Sequence, residues 1–110
     1  MLFISVEDFY QKASAVAKLS REEEKQLAKM AVVGDGQARS SLIEGYLPFL
    51  AGQIKRLPLD VQTLSTVYSA ITALEKGVDS FNFDQDSETF IHHLSWRLRQ
   101  CFTRCIAEKG

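Results

Sequence analysis

No stretch of the 110 residues stays apolar for the roughly 20 positions a membrane span needs. The opening MLFISVEDFY has no basic leader and meets acids at once, which argues against a secretory signal. Cysteine is scarce: the two present, Cys101 and Cys105, stand four apart. On a helix that spacing makes them neighbours on one face, poor geometry for a disulfide, so they read as small thiols buried in a reduced cytoplasm. Period-2 alternation is missing, as are internal repeats and low-complexity tracts, which leaves no strand to predict. Catalytic apparatus is missing too. Gly34-Asp35-Gly36 is a helix stop and not a phosphate cradle, and no serine, cysteine or acid stands beside a base at motif spacing. The expectation is therefore a cytoplasmic protein that is no enzyme and takes no cofactor or small-molecule substrate.

An excess of one charge is also lacking, since the net charge is −1. That figure hides an asymmetry. Residues 1–87 carry 9 basic and 12 acidic side chains, whereas residues 88–110 carry 4 basic and 2 acidic ones. Any anion-binding surface is expected at the C-terminal end.

What is present is helical pattern with marked breaks, over a length that suits a single domain spanning 1–110. Ser5 and Asp8 suit the start of a helix running to about Ala17. Ser20 and Glu23 form a capping box, and Glu22 to Glu24 lie where the helix dipole favours acids. The glycines around Asp35 end that helix, and another begins near Gln37. At Pro48 either that helix kinks or a new one starts with proline in its first turn. Leu57-Pro58-Leu59 closes the segment, and Asp60 is expected to cap the next helix. There Leu64, Val67, Ile71, Leu74 and Val78 repeat at spacings of 3 and 4. Gly77 and the stretch Asn82 to Asp86 are read as the last loop, and Ser87 as the cap of a closing helix reaching Glu108. The fold class is all-α, a compact bundle of about five helices.

At 100° per residue, the closing helix gathers Phe90, Leu94, Leu98, Cys101 and Cys105 within about 80°, flanked by Ile91 and Phe102. Trp96 falls opposite, among His92, His93, Gln100, Thr103 and Arg104. Either Trp96 packs beneath another element, or it is an exposed platform on which an unpaired base stacks. In the second case glutamine, threonine and arginine on adjacent turns reach base edges and phosphates. The histidines and the cysteines fall on different faces, so no metal site is expected.

The stretch TFIHHLSWRLRQCFTRCIAE, Thr89 to Glu108, resembles the promoter-melting helix of bacterial RNA polymerase sigma factors, in region two of the sigma-70 family. Phe90, Trp96, Arg99, Gln100, Thr103, Arg104, Ile106, Ala107 and Glu108 match that pattern. GVDSFNFD, Gly77 to Asp84, is similar to the family's A-V-D-K-F-D lead-in. LSREEEKQLAKMAVVGDGQARSSLIEGYLPFL, Leu19 to Leu50, is similar to region one-two and its continuation. The resemblance implies a sigma-like domain seated on the core polymerase clamp, with Leu64, Ser65, Val67 and Tyr68 at the docking surface. It also implies contact with the single-stranded minus-ten promoter element. Trp96 would be the stacking wedge, Gln100 and Thr103 would read bases, and Arg99 and Arg104 would hold phosphates. His93 and Arg97 would stand where the family has a tyrosine and a second tryptophan.

The departures support an alternative. Where the family carries an acidic, glutamine-containing D-L-I-Q-E-G motif for clamp docking, this chain has LSTVYSA, Leu64 to Ala70. The sequence also ends straight after the closing helix, so the domains for other promoter elements would be absent unless the chain is a fragment. The alternative is a protein-interaction module of sigma-like fold: a regulator, an anti-sigma-like decoy, or one half of a split sigma factor working with a second sigma-like subunit. On either reading the domain folds without metal or disulfide. Its melting temperature should be unmoved by chelator or reductant, and a fall of more than a few degrees with either would refute this.

Overall fold

The computed structural model describes residues 2–83 and 89–109, so the role expected of Ser87 lies outside the described residues. Among them the chain forms six α-helices, a short 3-10 turn and no strand, an all-α bundle as the periodicity predicts. The helices are α1 (Val6–Ser14), α2 (Arg21–Val32), α3 (Gly36–Gly45), α4 (Leu47–Ile54), α5 (Leu64–Ser80) and α6 (Phe90–Lys109), with the 3-10 turn at Leu59–Val61. None of them is long and apolar enough to cross a membrane.

Local chemistry accounts for most boundaries. The Ser5 hydroxyl accepts from Asp8 N at 3.0 Å, and the Asp8 carboxylate accepts from Ile4 N at 3.0 Å. That backbone N–H, and then Lys12, hold Asp8 below its usual pKa. The helix stops at Ser14, three residues short of the expected Ala17, because the last N–H groups turn back to carbonyls three residues away. Ser20 and Glu23 form the reciprocal capping box, at 3.1 and 2.9 Å. At the end of α2, Gly34 takes φ +102°, which lets Asp35 N reach Met30 O at 3.0 Å. Asp35 then caps α3, its carboxylate accepting from Gln37 N and Ala38 N. One tripeptide thus ends a helix and begins the next.

Pro48 sits in the first turn of a separate helix, α4, the second of the two readings open at that proline. Two expectations need correction. Asp60 lies inside the 3-10 turn, and the cap of α5 is Thr63, whose hydroxyl accepts from Thr66 N at 3.2 Å. Gly77 is no loop residue: it is buried within α5, which runs on to Ser80. A Cβ there would lie 3.4 Å from Arg97 Cδ and 3.6 Å from the Phe90 ring, ordinary van der Waals contact with α6.

The core draws on every helix except α2, which contributes only Ala28 and lies against α3. Phe9, Leu42, Leu50, Ile54, Leu74 and Leu94 are wholly enclosed. A paired bond from Arg39 to Asp79, at 2.8 and 2.9 Å, ties α3 to α5. Its guanidinium lowers the Asp79 pKa.

Gly45 is the tightest glycine, since a Cβ there would collide with the Leu19 side chain. Gly45→Ala should therefore destabilise by about 1–3 kcal/mol in chemical denaturation, and Leu19→Ala in the same chain should abolish that penalty. Gly52, on the wet side of α4 with open space around it, should gain about 0.5–1 kcal/mol on substitution by alanine. A loss at Gly52 would contradict this packing.

Candidate nucleic-acid interface

The first turn of α6 is set by Thr89, whose hydroxyl accepts from His92 N at 3.3 Å and whose carbonyl accepts from His93 N. From there the wheel is obeyed. Phe90, Leu94, Leu98 and Cys101 are at most 2% exposed, and Phe102 is buried beside them. Cys105 is half-buried, while Ile91 at the margin is exposed. Burial pushes the Cys101 thiol up to about 11, with Cys105 adding to the shift and Arg104 opposing it. The floor of this helix is therefore neutral.

Trp96 is 56% exposed, which settles the first choice left by the sequence: it does not pack beneath another element. The Arg99 guanidinium lies over its ring, 5.8 Å from the centroid, so a cation already engages the indole. The Thr103 hydroxyl donates to Arg99 O at 2.8 Å and keeps an acceptor free on the same face. Trp96, Arg99 and Thr103 form one outward strip.

The other expected site residues form a second strip, turned toward α5. Arg97 is half-buried and donates through Nε to His93 Nε2 at 3.2 Å and through Nη2 to Ser80 Oγ at 2.9 Å. The His93 ring packs on Phe81 at 5.2 Å between centroids. His93 and Arg97 were expected to face nucleic acid with Trp96. Instead they bridge α6 to the end of α5, through Ser80 and the Phe81 ring. Gln100 and Arg104 are exposed on this strip and border a shallow groove against α5.

The surface expected to meet polymerase is mostly internal. Val67 is fully buried, and Leu64 packs against the core. The Tyr68 hydroxyl accepts from Phe3 N at 2.9 Å and donates to Phe3 O at 3.2 Å. The N-terminal segment thus covers this face of α5, and of the expected docking residues Ser65 alone is exposed. Val67 and Tyr68 are corrected to structural positions.

Sequence reasoning passed over Tyr46. Its ring lies tilted against Phe90 at 4.6 Å, and its buried hydroxyl closes no hydrogen bond among the described residues. Burial, reinforced by the Glu24 carboxylate, keeps that hydroxyl protonated. Tyr46 borders a cavity of about 470 Å³ with Lys18, Phe49 and Arg56. No group of three histidine, cysteine or acidic side chains is placed to hold a metal ion among the described residues. No family model matches the chain, and no solved structure matches it.

An exposed, singly stacked tryptophan contributes little to folding. Trp96→Ala should change the unfolding free energy by no more than about 1 kcal/mol, against about 3–5 kcal/mol for a core aromatic. A denaturant melt separates the two values.

Proposed function

We propose that this protein is a sigma-factor-like transcription domain that holds single-stranded nucleic acid of the minus-ten type on the outer face of α6. The observation that carries the reading is Trp96: an exposed indole on a rigid helix, within a run of residues that resembles the promoter-melting helix. An aromatic platform is worth about 1–3 kcal/mol per stacked base, comparable with what unstacking that base costs. Arg99 already lies on the ring, and Thr103 on the same strip supplies a group that can discriminate base edges. Arg104, one turn further on, supplies positive charge for a phosphate.

Core polymerase is the implied protein partner, and a specific observation favours help from a second chain. The α5 face that would dock carries no acid from Leu64 to Ala70, and Val67 and Tyr68 are taken up internally. This supports the alternative of an interaction module, or one half of a split factor whose second sigma-like subunit completes the docking surface.

The test uses single-stranded DNA carrying a minus-ten-like element, with and without core polymerase. Trp96→Ala should remove about 1–3 kcal/mol of single-strand binding, and Trp96→Phe should restore most of it. Unchanged affinity in a folded Trp96→Ala variant would leave the interaction module as the only reading. Nanomolar binding of the lone chain to core polymerase would refute the need for a second subunit.

A further inference from the structure

The groove between α5 and α6 has a composition that neither the stacking platform nor the core explains. It encloses about 170 Å³, and its rim carries Lys76, Arg97 and Arg104 with Ser69, Thr72 and Gln100. Among the described residues no carboxylate borders it. The acids of α5 are turned away: Asp79 is paired with Arg39 on α3, and Glu75 acts on the same guanidinium. In a chain of net charge −1, α5 and α6 thus gather three cations in one shallow depression. A concave site of one sign focuses the field on its opening.

The donors are suited to an oxyanion. Arg97 is held in place by Ser80 and His93, so its orientation is set before any ligand arrives. Ser69, Lys76 and Gln100 have no side-chain partner among the described residues. The Thr72 hydroxyl donates to Tyr68 O at 3.0 Å, a local bond it can exchange for an outside acceptor. The groove floor includes Cys101, whose neutral thiol brings no opposing charge.

We propose that this groove is a phosphate-binding seat, in which Lys76, Arg97 and Arg104 neutralise the anion and Ser69, Thr72 and Gln100 hydrogen-bond its oxygens. For the source of the phosphate the proposal rests on the reading above. Gln100 is four residues beyond Trp96, about 6 Å along the helix axis. That distance is one to two nucleotide steps at about 3.4 Å each, so a strand stacked on Trp96 delivers its next backbone phosphate here. On this view α5 is part of the nucleic-acid surface, on the strip running from Ser69 to Lys76.

The experiment follows resonances of the full chain by NMR during titration, first with inorganic phosphate and then with a short single-stranded oligonucleotide. Phosphate should move the Gln100 side-chain amide and the backbone signals of residues 69–76 and 97–104, and Lys76→Ala should weaken that response several-fold without lowering the melting temperature. With the oligonucleotide, Lys76→Ala should reduce affinity several-fold and flatten the dependence of log K on log salt by about 0.7, one phosphate contact on a single strand. Thr72→Val should weaken binding with no change in that slope. Phosphate shifts scattered over other lysines, or indifference to Lys76→Ala with both ligands, would overturn the seat. If Trp96→Ala abolishes oligonucleotide binding while Lys76→Ala changes neither affinity nor slope, the single-strand reading stands and the seat falls. If inorganic phosphate binds in a Lys76-dependent way and no oligonucleotide binds, the seat stands as a site for free oxyanions and the single-strand reading falls.

Discussion

The burial of the Phe90 ring is the constraint on which the arrangement of this protein depends. That ring lies 4.6 Å from Tyr46, 5.4 Å from Phe81 and 5.1 Å from Phe83, centroid to centroid, and faces Gly77 of α5. It joins the α3–α4 joint, the end of α5 and the start of α6 at one place. A helix held at its first residue, with Leu94 and Leu98 buried on successive turns, has no rotational freedom left. Every other side chain of α6 then takes a fixed direction at 100° per residue. Trp96 must point outward and Arg97 must lie along α5.

That rotation also sorts charge. One side of α5 sends Asp79 to Arg39, and the other presents Lys76 to Arg97 and Arg104. A nearly neutral chain thereby carries a local cationic depression, which its net charge gives no reason to expect. The Trp96 strip and the α6 wall of the Lys76 groove lie on adjacent faces of one helix, so the spacing of Trp96 from Gln100 and Arg104 is set by helix geometry. Preorganisation of this kind reduces the ordering that a ligand must bring about on binding.

Much of the fold was legible because its signals are local. Ser5, Ser20 and the Gly34–Gly36 tripeptide act on their own backbone within a few residues, and the apolar stripes of α5 and α6 follow from helix geometry alone. The errors came where a distant partner decides. Gly77 has the composition of a turn, yet it lies buried inside α5 facing Phe90 and Arg97 of α6. Asp60 is as good a cap as Thr63 by type, but Pro58 and the 3-10 turn place the helix start further on. Val67 and Tyr68 were read as surface because the resemblance puts a docking motif there. Val67 is enclosed by the core, and the N-terminal segment, with Phe3 bound to the Tyr68 hydroxyl, leaves Tyr68 half-buried.

The sequence by itself determined the all-α class, most helix starts, and the opposition between Trp96 and the buried face of α6, since each follows from spacing along one helix. Only the tertiary structure decided which of the polar residues on α6 are free. Arg97 and His93 carry the same kinds of donor and acceptor as Arg104 and Gln100, and nothing in their local pattern separates them. The difference arises because Ser80 on α5 and the Phe81 ring after it engage the first pair, while Gln100 and Arg104 stay exposed along the groove that Arg97 also borders. Burial and hydrogen bonding between elements depend on how two helices meet, and that information is spread over residues far apart in the chain.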